Sequence, residues 1–198
     1  MAARRSLRLY PDRFVISTLG FITYNKQYNS ILRALMQLPP PLRQHVRYII
    51  AGEMRPEEYD VRRVIIETGV QDCVVLTGFV TEIAMEEILL ASDLILNLRY
   101  PTFGESSGSA ARALGLGCAL AVTDGGSYAE LPDDVCFRLP PKVDPSQEIL
   151  DLILETMNDA DQLAVRRVAA LTYARTVLDP ARLADRYTEI LLDSGGGE

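Results

Sequence analysis

The chain has 198 residues, of which 48% are hydrophobic and 24% are charged, and its net charge is −7. This length and composition are typical of a single soluble globular domain with a sizeable core. The acidic balance excludes a general nucleic-acid binder, which needs clustered lysine and arginine, but leaves room for a small anion site. No apolar run approaches the roughly 20 residues of a membrane span.

The cysteines Cys73, Cys118 and Cys136 are odd in number and far apart. They predict buried free thiols in a reducing compartment, so we expect a cytoplasmic protein. No CxxC pair or Cys/His cluster suggests a metal site. The N-terminus contains arginines without a following apolar segment, so it does not match a secretory signal.

Predicted strands and helices alternate along the chain. Residues 1–13 are expected to be a linker or chain end and residues 194–198 a flexible tail, so that the domain spans residues 14–193. Apolar, β-branched runs predict six strands, at 14–19, 46–51, 73–76, 94–98, 118–122 and 135–139. Apolar residues at helical spacing predict helices at 28–37, 56–68, 81–91, 107–116, 145–158, 160–177 and 180–193.

The predicted strands are continuous apolar runs, which is typical of a parallel sheet buried on both faces. With right-handed crossovers they predict an α/β fold, a doubly wound, mostly parallel, six-stranded Rossmann-like sheet with helices on both faces. Ligands of such sheets bind beyond the carboxyl ends of the strands. The loops at that edge are expected at 20–27, 52–56, 77–81 and 100–108.

The last of these loops leads into a predicted helix. Its small, polar residues leave backbone N–H groups free at a helix N-terminus, which favours an anion, phosphate above all. Glu105, Ser109 and Arg112 are spaced i, i+4 and i+7, so we expect them on one helix face. The carboxylate could accept sugar hydroxyls, and Arg112 could reach a phosphate or pair with an acid. Alternatively, Glu105 and Ser106 cap the helix and Arg112 is a surface residue.

The loop after the first strand, LGFITYNKQ, contains Gly20 and Lys26. Gly20 permits close backbone approach and Lys26 is a point charge near the next helix, so together they suit a phosphate. Alternatively, they are a turn glycine and a solvated lysine. The absence of GxGxxG after this strand and of GxxxxGK[ST] excludes a classical dinucleotide fingerprint and a P-loop nucleotidase.

Another small-residue turn, DGGS from Asp124, follows the fifth strand at the same edge. Either Asp124 and Glu130 line a cleft there, or this is an ordinary strand-to-helix turn with a capping acid. His45 is the single histidine and precedes the second strand, at the opposite edge. It therefore supports neither a catalytic triad nor a metal site, and we expect it at the surface.

Five stretches of the chain carry a family resemblance: GFITYNKQYNSILRAL, VRYIIAGE, VVLTGFV, MEEILLASDLILNLR and FGESSGSAARALGLGCALAVTDGGSYAEL. In this order and spacing they resemble the C-terminal, donor-binding half of retaining GT-B glycosyltransferases of family 4, the glycosyl transferases group 1. The resemblance covers about residues 14–140. It implies a hexosyltransferase-type enzyme that uses a nucleotide-sugar donor, UDP- or GDP-linked, without a metal or other cofactor.

The resemblance also implies roles for individual residues. The lysine that matches Lys26 contacts the donor pyrophosphate, near the loop of Gly20, and the segment that matches Gly78 to Val80 lies by the base. The loop matching Phe103 to Gly108 holds sugar and phosphate. The predicted catalytic residues are Lys26 and Glu105, and the predicted donor-binding residues are Gly20, Phe79, Val80, Phe103, Gly104, Ser106, Ser107, Gly108 and Arg112.

Three positions depart from the family pattern. Phe21 stands where family members commonly place an arginine, and Pro101 and Arg112 stand where the paired glutamates align. Glu105 supplies a displaced carboxylate that could substitute for the first glutamate. The resemblance implies that the second of these glutamates, further along the helix, holds the ribose hydroxyls. An arginine cannot accept hydrogen bonds from those hydroxyls, so ribose recognition differs or Arg112 serves the phosphates. A divergent donor site and a degenerate one both remain open.

A complete GT-B enzyme has a second Rossmann domain, which binds the acceptor, and nothing before residue 14 could supply it. The expected partners are therefore the nucleotide sugar and this missing N-terminal domain, with no nucleic acid. Peripheral membrane association is considered only for a longer protein, and the domain alone is expected to be inactive. The alternative function is a degenerate, non-catalytic interaction module.

Overall fold

A computed structural model describes residues 2–194 of the chain. The strands are β1 (Phe14–Leu19), β2 (Val46–Ala51), β3 (Val74–Gly78), β4 (Leu94–Asn97), β5 (Leu120–Thr123) and β6 (Cys136–Leu139). The helices are α1 (Ala2–Ser6), α2 (Tyr28–Gln37), α3 (Pro40–Arg43), α4 (Val61–Thr68), α5 (Glu82–Ala91), α6 (Gly108–Gly115), α7 (Ser146–Asn158), α8 (Ala160–Val177) and α9 (Pro180–Ser194). Short 3₁₀ turns lie at Tyr24–Lys26 and Gly126–Glu130.

The six strands form one parallel sheet in the order β3-β2-β1-β4-β5-β6. This arrangement confirms the predicted doubly wound α/β fold. The strand order reverses between β1 and β4, which pair through Ser17 and Ile95. The loops that leave these two strands therefore diverge to opposite faces, and a crevice opens between them at the carboxyl edge of the sheet.

Both faces of the sheet are buried. Along β1, Ile16 packs into the layer formed with α2, α4 and α7, whereas Val15 and Leu19 pack into the layer formed with α5, α6 and α8. Val15 and Ile16 are both fully buried, as expected for successive residues of a strand covered on both sides. Burial of each such side chain contributes about 1.5–3 kcal/mol to stability.

The N-terminal segment differs from the linker that the sequence predicts for residues 1–13. Ala2–Ser6 form α1, which packs against α5. Arg4 connects this helix to the sheet, because its guanidinium pairs with Asp93 and donates to the carbonyl oxygen of Ala91. These partners are 87 and 89 residues away in the sequence, so no local sequence pattern predicts this helix.

Four helix starts also differ from prediction, and those of α5 and α7, predicted at residues 81 and 145, differ by one residue. The helix predicted from residue 56 begins at Val61, because the Asp60 carboxylate accepts from the backbone N–H groups of Arg62 and Arg63 and caps it. The predicted start at residue 107 moves by one residue, because Ser107 is itself the N-cap of α6. Apart from Ser194, the predicted tail lies outside the described residues.

The three cysteines are buried and free, which confirms that part of the prediction. Burial raises the pKa of the Cys73 and Cys118 thiols to about 11. Within residues 2–194, no helix has both the length and the apolar character needed to cross a membrane.

Candidate functional site

A cavity of about 570 Å³ opens at the carboxyl edge of the sheet, where the strand order reverses. Its walls come from the β1–α2 loop, the β4–α6 loop, the start of α6 and Met85 of α5. The basic residues Lys26, Arg99 and Arg112 line it, and none of the described residues that line it is acidic. The site is therefore suited to a negatively charged ligand.

The β1–α2 loop presents Lys26 to this cavity. The 3₁₀ turn Tyr24–Lys26 is followed by Gln27, whose left-handed conformation (φ 60°) leads the chain into α2. The turn folds Lys26 back over the end of β1, where Nζ donates to the carbonyl oxygen of Leu19 at 2.9 Å. Gly20 leaves the room for this contact, because a Cβ there would lie 3.0 Å from Nζ.

Lys26 is a buried cation, with 8% of its surface exposed and no carboxylate partner in the described part of the chain. Desolvation by burial, with repulsion from Arg99 as the smaller cause, lowers its pKa from 10.5 to about 8. An anion bound in the cavity would supply the missing negative charge. The geometry thus favours the phosphate interpretation of this loop over a solvated lysine.

The β4–α6 loop presents Arg99, which the sequence reasoning did not select. Its backbone N–H donates to Thr123 Oγ1 at 2.9 Å, its Nε donates to the Tyr128 hydroxyl at 3.2 Å, and its Nη1 donates to Glu105 Oε1 at 2.6 Å. Only 15% of its side-chain surface is exposed. The one local signal for Arg99 is that it is the first charged residue after β4, a strand at the point of reversal.

Glu105 lies in the loop before α6 and does not line the cavity. Besides Arg99, its carboxylate accepts from the backbone N–H of Phe103 at 2.8 Å and from Thr102 Oγ1 at 3.3 Å. Partial desolvation opposes ionisation, but the N–H groups of Glu105 and Phe103 and the Arg99 guanidinium outweigh it, so the pKa of Glu105 falls below its usual value. The carboxylate therefore shapes the loop.

The N-terminus of α6 is held by a polar network. Ser107 Oγ caps the helix by accepting from the backbone N–H of Ala110 at 3.3 Å. Asn97 Nδ2 donates to the hydroxyls of Ser107 and Ser109, at 3.0 Å each, and Asn97 Oδ1 accepts from the Tyr128 hydroxyl at 2.8 Å. This network fixes the free N–H groups of the first helical turn at the cavity wall.

Two expectations about α6 are therefore wrong. Glu105 and Ser106 do not cap the helix, because Ser107 does. Glu105 also does not share a helix face with Ser109 and Arg112, because α6 begins at Gly108. Arg112 lines the cavity and pairs with Glu82 of α5 at 2.8 Å, in a pair whose side chains are 41% and 80% exposed.

The two loops of the site are joined directly. The backbone N–H of Tyr100 donates to the carbonyl oxygen of Asn25 at 2.7 Å. Asn25 is itself buried, and its Oδ1 accepts from Thr23 Oγ1 at 2.7 Å. The positions of Lys26 and Arg99 relative to each other therefore depend on backbone contacts and not only on side-chain packing.

A smaller cavity of about 160 Å³ adjoins the first and shares Gly20, Phe21 and Met85 with it. Phe79 and Val80, the residues that the sequence assigns to the base, line this second cavity. Its lining exposes little polar surface, and Phe21 and Phe79 are 59% and 78% exposed. Such a cavity suits the flat apolar surface of a ring.

The structure divides the predicted site residues into three groups. Gly20, Lys26, Ser107, Gly108 and Arg112 line the larger cavity, and Phe79 and Val80 line the smaller one. Neither of these two linings includes the remaining four, which are Phe103, Gly104, Glu105 and Ser106. Phe103 is 75% exposed, on the outside of the loop.

The other candidates lie away from the cavity. Asp124 pairs with Arg138 at 2.7 Å, and Glu130 is exposed at the end of a 3₁₀ turn, which favours the interpretation of DGGS as an ordinary turn. His45 is at the opposite edge of the sheet, more than half exposed, beside Asp12. In the described residues no group of three or more His, Cys, Asp or Glu is arranged to hold a metal ion.

The fold is similar to that of several solved structures. HepE from Anabaena in complex with UDP superposes with a TM-score of 0.81 at 22% identity, over 97% of this chain and 52% of that one. Sucrose-phosphate synthase from Thermosynechococcus elongatus gives 0.81 at 16% identity, over 99% and 49%. The C-terminal domain of the glycosyl transferase group 1 family protein LpcC from Francisella tularensis gives 0.72 at 17%, over 90% and 92%.

The chain therefore spans about half the length of the first two structures and nearly all of the isolated C-terminal domain. No curated protein matches the sequence. The sequence model of the family glycosyl transferases group 1 matches residues 2–164, which is most of the chain. With the parallel sheet, the position of the cavity and this match in agreement, the chain belongs to the glycosyl transferases group 1.

Proposed function

We propose that this chain is the donor-binding domain of a retaining glycosyltransferase of the hexosyltransferase type. The carrying observation is the buried Lys26, which has no carboxylate partner in the described residues and lines the cavity at the strand reversal. Family membership supports transfer of a sugar from a nucleotide-sugar donor. The similar fold of HepE, solved with UDP and with UDP-glucose, supports a nucleotide sugar as the ligand.

The diphosphate is the part of such a donor that the larger cavity would hold. When the bond between the anomeric carbon and the phosphate oxygen breaks, negative charge develops on the leaving diphosphate. Lys26 Nζ and the free N–H groups at the start of α6 are placed to stabilise that charge. The base would then occupy the smaller, apolar cavity beside Phe79 and Val80.

Binding of the diphosphate also gives Lys26 the negatively charged partner that the described residues do not provide. In the free protein the pKa of Lys26 is about 8, so part of the population is neutral near pH 8. An adjacent phosphate favours the charged form and raises this pKa. In the proposed site Lys26 is therefore fully protonated while negative charge develops on the leaving diphosphate, and no metal ion is needed.

The acceptor would be held by a second domain, and we infer that the activity belongs to a longer protein. This inference is supported by the length of the relatives, of which the chain spans about half. We expect the domain alone to bind the donor without transferring the sugar. Retention of anomeric configuration would be read from the product of the longer protein by NMR. We further propose a cytoplasmic location, in keeping with the three free buried thiols.

Calorimetry of the 198-residue chain with UDP, GDP, ADP and their sugars tests the proposal. One of these series is expected to bind, with affinity unchanged by EDTA and strongly reduced in Lys26→Met. Lys142→Met is the matched control, because Lys142 pairs with Glu148 outside the cavity. If no nucleotide binds at millimolar concentration, or if Lys26→Met binds like the unaltered chain, the donor site is wrongly assigned.

A second candidate function is a degenerate, non-catalytic module. It is favoured by the absence of an acidic residue from the larger cavity's described lining and by the engagement of Glu105 with Arg99. Transferase assays of a longer protein containing this chain separate the two functions. Donor binding without transfer would support the module, whereas transfer that Lys26→Met abolishes would exclude it.

A further inference from the structure

A diphosphate carries two anionic phosphates, and the β1–α2 loop offers one cation for them. Phe21, directly after Gly20, adds only apolar surface. We infer that Arg99 is the second diphosphate-binding cation of this site and that Glu105 is the residue that positions it. This inference rests on the proposed function and adds to it a residue from the other strand of the reversal.

The position of Arg99 supports this role. Lys26 follows β1 and Arg99 follows β4, the adjacent strand, so the two cations reach one cavity from opposite sides of the reversal. Both side chains line the same cavity, and repulsion from Arg99 is the smaller cause of the lowered pKa of Lys26. The hydrogen bond from Tyr100 to Asn25 holds their loops together.

The guanidinium of Arg99 is held in one orientation but keeps N–H groups that are not hydrogen-bonded to the described residues. Nε is bonded to Tyr128 and Nη1 to Glu105, whereas Nη2 has no hydrogen-bond partner among residues 2–194. A guanidinium has five N–H groups in a rigid fork, so fixing one side directs the other. The Nη2 donors are therefore available to a phosphate oxygen with little loss of side-chain entropy.

Glu105 acts as a clamp on this fork. One carboxylate oxygen accepts from Arg99, and the other is fixed by the Phe103 N–H and Thr102 Oγ1. Because both oxygens are occupied, the carboxylate cannot swing into the cavity and repel a phosphate. Glu105 is thus a positioning residue for Arg99, which replaces its predicted catalytic role.

Arg112 is the competing candidate for a second cation. It also lines the cavity, but 41% of its side chain is exposed and its partner Glu82 is 80% exposed. An exposed pair of this kind does not fix a side chain, so a phosphate would have to order Arg112 at the expense of entropy. Arg99, at 15% exposure, is already ordered.

The test compares nucleotide with nucleoside binding to the 198-residue chain, by calorimetry for UDP or GDP and by NMR titration for uridine or guanosine. Arg99→Gln is expected to weaken diphosphate binding by about 10–100-fold, or about 1.4–2.7 kcal/mol, as for the loss of a charge-assisted hydrogen bond. Nucleoside affinity should stay unchanged, because the nucleoside carries no phosphate. Glu105→Gln should weaken diphosphate binding by about 3–10-fold with the same selectivity, and Arg112→Gln by less than about 3-fold.

The outcomes separate this inference from the proposed function. If no nucleotide binds the unaltered chain, the donor site and the inference both fail. If the nucleotide binds and Arg99→Gln binds it equally well, the donor site stands and the inference is overturned. If circular dichroism shows that Arg99→Gln is unfolded, Arg99→Lys and Glu105→Gln decide. Unchanged diphosphate affinity in both overturns the inference, and a loss confined to the diphosphate supports it.

Discussion

The two edges of the sheet differ in whether their buried or partly buried charged side chains have partners of opposite charge. At the amino edge, Asp93 lies between Arg4 and Arg167 and also accepts from the backbone N–H of Val15 at 2.8 Å. Every charge in that cluster faces an opposite charge. At the carboxyl edge, Lys26 is more deeply buried, and the described residues provide no carboxylate for it.

The difference separates the part of the molecule that is stabilised from the part that binds. A partly buried cluster in which every charge has an opposite partner, here called the balanced edge, stabilises the fold, because removing Asp93 would leave both arginines unpaired. A buried cation without a carboxylate partner, here called the unbalanced edge, destabilises the free protein, because the hydrogen bond to Leu19 compensates only part of its lost hydration. A bound anion recovers that free energy, so the unbalanced edge is the one expected to hold the ligand.

The largest expected effect comes from breaking the unbalanced edge with Lys26→Met. Diphosphate affinity should fall by about 100-fold, or about 2.7 kcal/mol, as the buried charge is lost. The free energy of unfolding should rise by about 1–3 kcal/mol, because a pKa depression of one unit corresponds to about 1.4 kcal/mol. Loss of the bond to Leu19 offsets part of this gain. Urea unfolding and calorimetry measure the two changes, and a destabilised variant would refute the comparison.

The balanced edge should respond in the opposite sense. Asp93→Asn leaves Arg4 and Arg167 without their partner, so the free energy of unfolding should fall by about 2 kcal/mol, while donor binding is unchanged. Asp133→Asn is the control, because Asp133 pairs with Arg138 while 94% exposed and should change stability by less than about 0.5 kcal/mol. Equal effects of the two changes in urea unfolding would contradict the assigned role of Asp93.

The pH dependence sharpens the same comparison. Since the pKa of Lys26 in the free protein is about 8, diphosphate affinity should fall about tenfold between pH 7 and pH 9. Binding near pH 8 should take up protons, which calorimetry in buffers of different ionisation enthalpy detects. The effect of Lys26 on stability should move the other way. Because its folded pKa lies below its unfolded value, the unfolded chain binds more protons at Lys26, so the destabilisation caused by Lys26 fades from about pH 8 to about pH 10.5. The stability advantage of Lys26→Met over the unaltered chain should therefore narrow over this range. A diphosphate affinity that does not change between pH 7 and pH 9 would exclude Lys26 as a diphosphate-binding cation.

The smallest expected effect is that of the exposed pair at the cavity rim. Arg112→Gln removes its pair with Glu82 and should change the free energy of unfolding by less than about 0.5 kcal/mol. Glu82→Gln is the matched variant and should behave alike. A change in the free energy of unfolding above about 0.5 kcal/mol in either variant, determined from thermal unfolding, would show that this pair stabilises the fold.

Much of the fold could be predicted from local pattern. β1, β2 and α2 have the predicted bounds, because continuous β-branched runs and helical spacing are short-range signals. The helix α1 could not be predicted, because its stability depends on Arg4 and a carboxylate 89 residues away. Tertiary contact, not propensity, decides such a segment.

The candidate site divides in the same way. Gly20 and Lys26 were predictable, because a glycine that ends a strand and a nearby lysine form a local pattern. Arg99 was not, because the sequence does not show that its guanidinium is held by Glu105 together with the Tyr128 hydroxyl, 29 residues further on. Glu105 was placed on a helix face because spacing alone does not reveal that Ser107 caps the helix.

The hydrogen bond from Tyr100 to Asn25 makes one amide proton a reporter of the whole site. This proton exchanges with deuterium only when the two loops separate, so its protection factor measures the population of opened cavities. A ligand that bridges the loops must suppress those openings and slow the exchange. A ligand that contacts one loop alone leaves the exchange rate as it is. The Tyr100 amide therefore distinguishes, without any substitution, a ligand held by both strands of the reversal from one held by a single loop.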